Sequence, residues 1–438
     1  MSATSYIEHY ESLTNSLPGQ NLPWLNTLRQ LALGSFASTG FPSPREEEWK
    51  YTNVTALEKK LFAPSSISSP TTIDVEWLET QKLANTWTLV IVDGHFDSML
   101  SDLTGLPDKV IATGVSSALE NQPDRVKALL GTTLENESHG FLAFNTAYFS
   151  DGAFIAIPAG VSLEKPIQIL YVSTRNEALS NARSLISLGN NANAKIIETF
   201  IGQPNISYLT ATVTEIQLGE NAGLDHYKLQ VETDKAYHFG GVYVKQDKSS
   251  RFSQHNLSFG GLLARNEIHV ELAKAAECEM NGLFLAKNRQ HVDNHTLIHH
   301  VEPYGISRET YRGVLADRAR GVFQGRIVVH PNAQKTSAEM NNRNLLLSDD
   351  AEIDAKPQLE ILADDVKCSH GVAIGQLDPE SIFYLISRGV DRETAKNMLT
   401  FAFANEMVDK IKLESLRDRV QEHLLNLFPQ TGIRRDWL

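Results

Sequence analysis

LGNNANA (residues 188–194) is answered thirty residues later by LGENAGL (218–224). Related corners follow: VKQDKSS from Val244, LAKAAEC from Leu272, LADRARG from Leu315, VHPNAQK from Val329, LSDDAEI from Leu347 and LADDVKC from Leu362. Each is an apolar strand end, then a few small or polar residues, then a return to alternation. Successive spacings are 30, 26, 28, 43, 14, 18 and 15 residues. Between the corners lie short β-branched runs such as AFIAIPAGV (153–161), IQILYVS (167–173), ATVTEIQLG (211–219) and EIHVELA (267–273). Such a pattern predicts a coiled parallel β-helix, in which each rung buries its inward side chains against the rungs above and below. A sandwich of hairpins is the rival all-β reading. No strict six-residue period supports a left-handed hexapeptide helix.

The flanks read as helical. SYIEHYESLTNSL (5–17) and PWLNTLRQLALGSF (23–36) space apolar residues three and four apart, with breaks at Pro18-Gly19 and at Gly40 and Pro42. PREEEWKYTNV (44–54) reads as a charged turn with Trp49 and Tyr51 packed down, and TWTLVIVDG (86–94) as a buried strand. After the repeats, Asp378 and Asp391 are N-cap candidates, Pro379 suits a first helical position and Gly389 a C-cap. In DRETAKNMLTFAFANEMVDKI (391–411) the apolar face predicted is Ala395, Met398, Leu399, Ala402, Phe403, Met407 and Ile411. LESLRDRVQEHLLNLF (413–428) is a third amphipathic segment. The expected division is a helical and mixed α/β region over 1–151, the β-helix core over 152–377 and a helical domain over 378–438.

Composition narrows the function. The net charge of −13 over 438 residues argues against a general nucleic-acid binder. Two cysteines, Cys278 and Cys368, make no disulfide framework and suit a reducing compartment. The first residues, MSATSYIEHYESL, have no apolar signal core, and no run of 18 apolar residues predicts a membrane span, so the cytoplasm is expected.

Two segments hold metal-ligating side chains. In HVDNHTLIHH (291–300), His291, His295 and His299 are four apart, but Val292 stands where a zinc-protease HExxH helix needs glutamate. On a strand, residues four apart on one face lie roughly 13–14 Å apart, too far to share one ion. A free-standing metal enzyme built on His291 and His295 stays an alternative. A β-helix carbohydrate-active enzyme is another, and would want a groove of acids. The acidic pairs here, Asp349-Asp350 and Asp364-Asp365, sit at corners, where Asp forms turns. No nucleophile elbow, P-loop or dinucleotide fingerprint is present. ADDVKCSHG (363–371) places Cys368 and His370 on one strand face, about 7 Å apart. They offer one ligand each and cannot close a site alone, so the missing ligands must come from another chain.

SRETYRGVLADRARGVFQGRIVVHPNAQKTSAEMNNRNLLLSDDAEIDAKPQLEILADDVKCSHG (307–371), with LDPESIFYLISRG, AKNMLTFAFANEM, REEEWKYTNV and HVDNHT, resembles the SufB/SufD family of iron–sulfur cluster assembly proteins. Few cysteines, and Gly371 after His370 where SufB-type chains carry glutamate, place it nearer the SufD branch. Ala355 and Val372-Ala373 depart from the family pattern, where Thr and Ala-Thr are expected. The resemblance implies a right-handed parallel β-helix with helical ends and a non-catalytic scaffold role in a complex with SufB and the SufC ATPase. SufC would dock on the C-terminal helices and SufB at the end of the β-helix. It further implies a nascent cluster shared with SufB, with His370 and, more weakly, Cys368 as metal-site residues. No tightly bound cofactor of this chain alone is implied. A flavin in the complex, a part in iron acquisition and a homodimer of the isolated chain are compatible with it.

Overall fold

A computed structural model describes residues 6–8, 16–58, 60, 62–64, 73–134 and 139–429. Most of the first expected helix, 5–17, lies outside the described residues. The chain coils as a parallel β-solenoid of about eight turns, each giving one strand to each of two sheets. Sheet one runs Ala153–Ile157, Ala178–Leu188, Leu209–Leu218, Tyr237–Gln246, Leu263–Leu272, His291–His300, Arg320–Val329 and Glu352–Ile361. Sheet two runs Ile167–Ser173, Asn193–Gly202, Gly223–Gln230, Arg251–Ser258, Glu277–Ala286, Ile306–Leu315, Ser337–Leu346 and Lys367–Gly375.

Register explains the irregular repeat. Asn193 stacks on Gly223, then on Arg251, Glu277, Ile306, Ser337 and Lys367, so these turns take 26–31 residues. The corners read from Leu188 to Leu272 close strands of sheet one, whereas Leu315 and Leu347 close strands of sheet two. The shorter spacings are therefore half-turns. Six of these corners carry a left-handed residue, Asn191, Asn221, Ser249, Ala275, Asp317 and Lys335, as do two further corners at Asn288 and Tyr304, whereas the corners from Leu347 and Leu362 turn without one. Asn, Asp and Ser tolerate that conformation best. The corners also bond to one another: Asn191 N–H donates to Glu220 O and Asn221 N–H to Lys248 O.

The solenoid ends differ. At the N-terminal end, Trp87–Val92 joins sheet two beside Ile167–Ser173 and is itself covered by the antiparallel strand His95–Asp102. Ile111–Gly114 covers sheet one, antiparallel to Ala153–Ile157. At the C-terminal end Glu352–Ile361 and Lys367–Gly375 are the last strands of their sheets, and among the described residues no strand pairs beyond them.

Helices lie on both outer walls. Pro23–Thr39 and Gly140–Tyr148 cover sheet one, packing Phe36, Phe41, Phe141 and Phe144 on Leu209, Phe239 and Leu263. Gly140 permits this contact, since a Cβ there would strike Gly40 O. Trp49 is buried as expected, but Tyr51 is exposed. On sheet two, Arg392–Val408 and Glu414–Leu427 pack Phe401, Ala404, Met407, Val420 and Leu424 on Tyr227, Leu257, Leu283 and Leu345. The buried stripe is thus rotated from the one expected. Ala395, Met407 and Ile411 are buried as expected, but Phe401 and Ala404 are inside as well and Ala402 is exposed, because the helix lies along the wall of sheet two. Asp378 caps Pro379–Ser387 through the Glu380 and Ser381 amides, and Asp391 caps Arg392–Val408 through the Thr394 amide.

The lumen is half polar. One inward column is Leu224, Phe252, Cys278, Ser307, Ala338, Cys368; its neighbour is His226, Gln254, Met280, Glu309, Met340, His370. Lys228 Nζ donates to Asn266 (2.7 Å), Asn266 to Asn294 (3.2 Å) and Asn256 to Asn294 (2.9 Å), while His226 meets Glu198 at 3.0 Å. Buried polar groups tied this way rigidify a core; unpaired ones are costly. Glu309 is such a case. Neither of its carboxylate oxygens has a hydrogen-bond partner at bonding geometry among the described residues. Burial raises it to about 7, with Thr296 the one neighbour lowering it. Its folded value lies above its unfolded one, so stability is full below the ordinary glutamate range and falls as pH rises through about 7. Glu309→Gln is expected to flatten that decline, worth roughly 3 kcal/mol between pH 5 and pH 8.5. Urea unfolding of both proteins at the two pH values checks it, and parallel pH profiles would contradict it.

Candidate functional site at the open edge

Lys367–Gly375 is hydrogen-bonded to Ser337–Leu346 on one side, and its other backbone edge is unpaired among the described residues. The strand is exposed at all positions but Cys368. Strand alternation turns Cys368, His370, Val372 and Ile374 toward the lumen, but among the described residues no further turn covers them. Cys368 sits over Ala338 and packs partly into the core, and burial raises its thiol pKa above the usual range. His370 sits over Met340 and is exposed. Beside it Val372 and Ile374 are 40% and 49% exposed, and Ile361 and Leu362 at the end of sheet one 43% and 52%. The solenoid mouth is therefore an apolar rim carrying one imidazole and one half-buried thiol, bounded by free backbone donors and acceptors. Unprotected strand edges pair with other chains.

The expected one-face placement of Cys368 and His370 holds. Among the described residues, no three His, Cys, Asp or Glu side chains converge so as to hold a metal ion. What the pair can do alone is offer one imidazole nitrogen and, once deprotonated, one sulfur.

The histidine run does other work. His291, Asp293 and His295 point outward from sheet one, under the segment Glu47–Thr52. Arg265 is the hub. It bonds Asp293 Oδ2 (2.6 Å), Glu267 Oε1 (2.8 Å) and Glu48 O (3.0 Å), and its guanidinium lies 3.6 Å from the Trp49 ring centroid. His295 Nε2 meets Asp293 Oδ1 at 3.0 Å, and its Nδ1 is 3.5 Å from Glu48. His291 Nε2 meets Thr52 Oγ1 at 3.0 Å, and His139 Nε2 meets Glu267 at 2.8 Å. Burial opposes charge here, yet Arg265 and His295 hold Asp293 well below the usual carboxylate range. His139 and Arg265 likewise hold Glu267 down against burial. Burial and Arg265 lower the His295 imidazole, but Asp293 and Glu48 outweigh them and raise it. His291 and His295 are thus spent fastening the N-terminal segment to the wall. His299 lies outside this cluster, beside His330.

Sequence reasoning missed Arg265 as the hub and the inward polar residues Lys228, Asn256 and Glu309. Their signal is polar residues at inward positions, readable only once the strand phase is known.

The solenoid is thus covered at its N-terminal end and open at its C-terminal edge among the described residues, and Cys368 and His370 stand at that edge with no third ligating side chain converging on them. Residues 171–403 match the family described as "SUF system FeS cluster assembly, SufBD core domain", and residues 1–169 match "SufBD protein N-terminal region". The chain belongs to the SufBD family of the SUF iron–sulfur cluster assembly system. It is 32% identical over 90% of its length to an iron–sulfur cluster assembly SufBD family protein of Synechocystis, covering 89% of that protein. It is 30% identical to the iron–sulfur cluster assembly protein SufD of Escherichia coli, over 89% of this chain and 90% of that one. With SufD of Bacillus subtilis it shares 25% identity, over 92% and 93%. Its role therefore lies in iron–sulfur cluster assembly. Among the described residues no helix is long and apolar enough to cross a membrane.

Proposed function

We propose that this chain is a non-catalytic, SufD-type scaffold subunit working in the cytoplasm. Its open β-edge pairs with SufB, and a nascent iron–sulfur cluster is built at the junction. The cluster is cargo shared by the two chains, with His370 as ligand or near-ligand and Cys368 as the weaker contributor. The observation that carries this reading is the asymmetry of the solenoid: its parallel strands are covered at the N-terminal end by the antiparallel strands His95–Asp102 and Ile111–Gly114, whereas the last parallel strands, beside His370, have no strand beyond them among the described residues. Imidazole and thiolate suit iron, and among the described residues no third ligand converges with them.

The C-terminal helices are the dock for SufC. The face expected to receive it on Arg392–Leu427 is largely spent on the solenoid wall. Pro379–Ser387 instead exposes Phe383 (72%), Tyr384 (56%) and Ile386 (37%), with Phe383 and Ile386 at the three-residue spacing of a helix anchor. The test is co-expression with SufB and SufC. The wild-type chain is expected to co-purify with both. Phe383→Glu combined with Tyr384→Ser should lose SufC by tenfold or more in affinity and keep SufB, since both side chains stand clear of the fold. A monomeric chain that binds neither protein at micromolar concentration would overturn the proposal. Undiminished SufC binding by the double variant would move the dock elsewhere.

A further inference from the structure

In a parallel ladder the N–H and C=O of one residue point to the same side of the strand, and those of the next residue to the other side. The direction is fixed at both last strands. In sheet one, Glu352 N–H donates to Ala319 O and Leu362 N–H to Val329 O, so the even-numbered residues bond back to Arg320–Val329. The open edge is therefore carried by Ile353, Ala355, Pro357, Leu359 and Ile361. Pro357, paired with Gly325, has no N–H, so the row of edge donors breaks between Ala355 and Leu359, a gap of roughly 13 Å. In sheet two, Lys367 N–H donates to Thr336 O, so Cys368, His370, Val372 and Ile374 carry the open edge, each with an N–H and a C=O. That row is unbroken. The outward side chains differ in the same sense. Glu352, Asp354, Lys356 and Glu360 stand along the sheet-one edge, whereas Lys367, Ser369, Gly371, Ala373 and Gly375 stand along the sheet-two edge. Proline and charge are two devices by which native edges resist pairing, and sheet one has both.

We propose that the two open edges are unequal: Lys367–Gly375 is the edge along which a partner strand pairs, and Pro357 guards Glu352–Ile361 against full-length pairing with a second copy of this chain. The proposal rests on the reading that the open end receives SufB, and it names the strand that does so. A strand laid along Lys367–Gly375 finds every second residue ready to exchange a donor and an acceptor. One laid along Glu352–Ile361 brings a carbonyl opposite Pro357 and finds no donor there, and an acceptor buried without a partner is costly. In a symmetric pair of two copies the loss occurs twice. Pro357 acts on the choice of partner and register rather than on the fold, because its nitrogen faces away from Arg320–Val329.

Two substitutions exchange the characters of the edges. Pro357→Ala restores the missing donor, and the isolated full-length chain is followed by sedimentation velocity over a concentration series. Self-association about tenfold tighter than that of the wild-type chain is expected, the worth of one or two recovered hydrogen bonds. Equal or weaker self-association would overturn the guard. Val372→Pro puts the same gap into the other edge and spares the bonds to Ser337–Leu346, because the Val372 N–H faces the open side. It should bind purified SufB about tenfold more weakly, whereas Pro357→Ala should stay within about twofold of wild type. Undiminished SufB binding by Val372→Pro would overturn the edge assignment. Should Val372→Pro melt well below the wild-type chain, Ala373→Lys carries the same test with the same meaning. That position is exposed and outward, and the substitution leaves the backbone untouched while adding the charge that blunts an edge. A wild-type chain that does not bind SufB would overturn the function proposed above, and the Pro357→Ala measurement, which uses no partner, would still decide the guard.

Discussion

Replacing Arg265 by alanine is expected to cost the fold about 3–5 kcal/mol, the scale of breaking a buried ion pair on one side. The guanidinium is 2% exposed and sits between Asp293, which is fully buried, and Glu267. Both carboxylates are held ionised in large part by Arg265. Without it, two negative charges face each other beneath Trp49 with the imidazoles His295 and His139 as their remaining partners. The aromatic stack on Trp49 and the bond to Glu48 O go too, so the segment Glu47–Thr52 loses its fastening. Arg265→Lys keeps the charge but not the bidentate geometry or the stacking, and should fall between alanine and wild type. Denaturant unfolding with limited proteolysis of the N-terminal segment checks both. A loss under 1 kcal/mol for Arg265→Ala would show that the cluster is not what holds that segment down. The pH sense is fixed by two opposing groups. Asp293 and Glu267 have lowered pKa values, so their stabilisation is present above the usual carboxylate range and fades as pH falls. His295 has a raised one, so its share is full below the usual histidine range and is lost as pH rises.

The solenoid was legible because its corners repeat a physical requirement. A strand end, a residue able to turn left-handed and a small apolar residue recur where backbone must reverse over the corner beneath. LGNNANA and LGENAGL announce this, and the structure stacks them directly, Asn221 over Asn191. Corners built from other residues escaped. The gap of 43 residues after Leu272 hides the corner at Val301–Gly305, where VEPYG carries Tyr304 in the left-handed position. Helix existence and capping at Asp378 and Asp391 were readable because caps are local. The buried face of Arg392–Val408 was not, because the wall it meets is assembled from several turns distant in sequence, from Tyr227 to Leu345. The candidate site was half legible. Cys-x-His in a strand fixes one face, but only the absence of a further turn makes His370 accessible. The histidine run misled in part, since its outward members serve a latch whose other half, Glu48 and Trp49, lies some 240 residues earlier.

His370→Ala is the second large effect expected, and it concerns function rather than folding. The side chain is exposed on the last strand, so its removal should change stability by less than about 0.5 kcal/mol. Its pairing edge is backbone, which alanine leaves intact, so binding to SufB and SufC should persist. What disappears is the imidazole at the mouth of the solenoid. Cys368 does not replace it, because its half-buried thiol is held protonated by its surroundings. Loss of even an outer-shell partner in a metal site lowers metal affinity about 10–100-fold, and loss of a ligand or near-ligand should cost at least as much. The direct measurement is iron and acid-labile sulfide per complex after anaerobic reconstitution, made in parallel with the wild-type chain and with His370→Ala at matched subunit ratios. The account predicts a loaded wild-type complex and an intact variant complex with about a tenth of its iron and sulfide or less; equal iron and sulfide in the two complexes would contradict it.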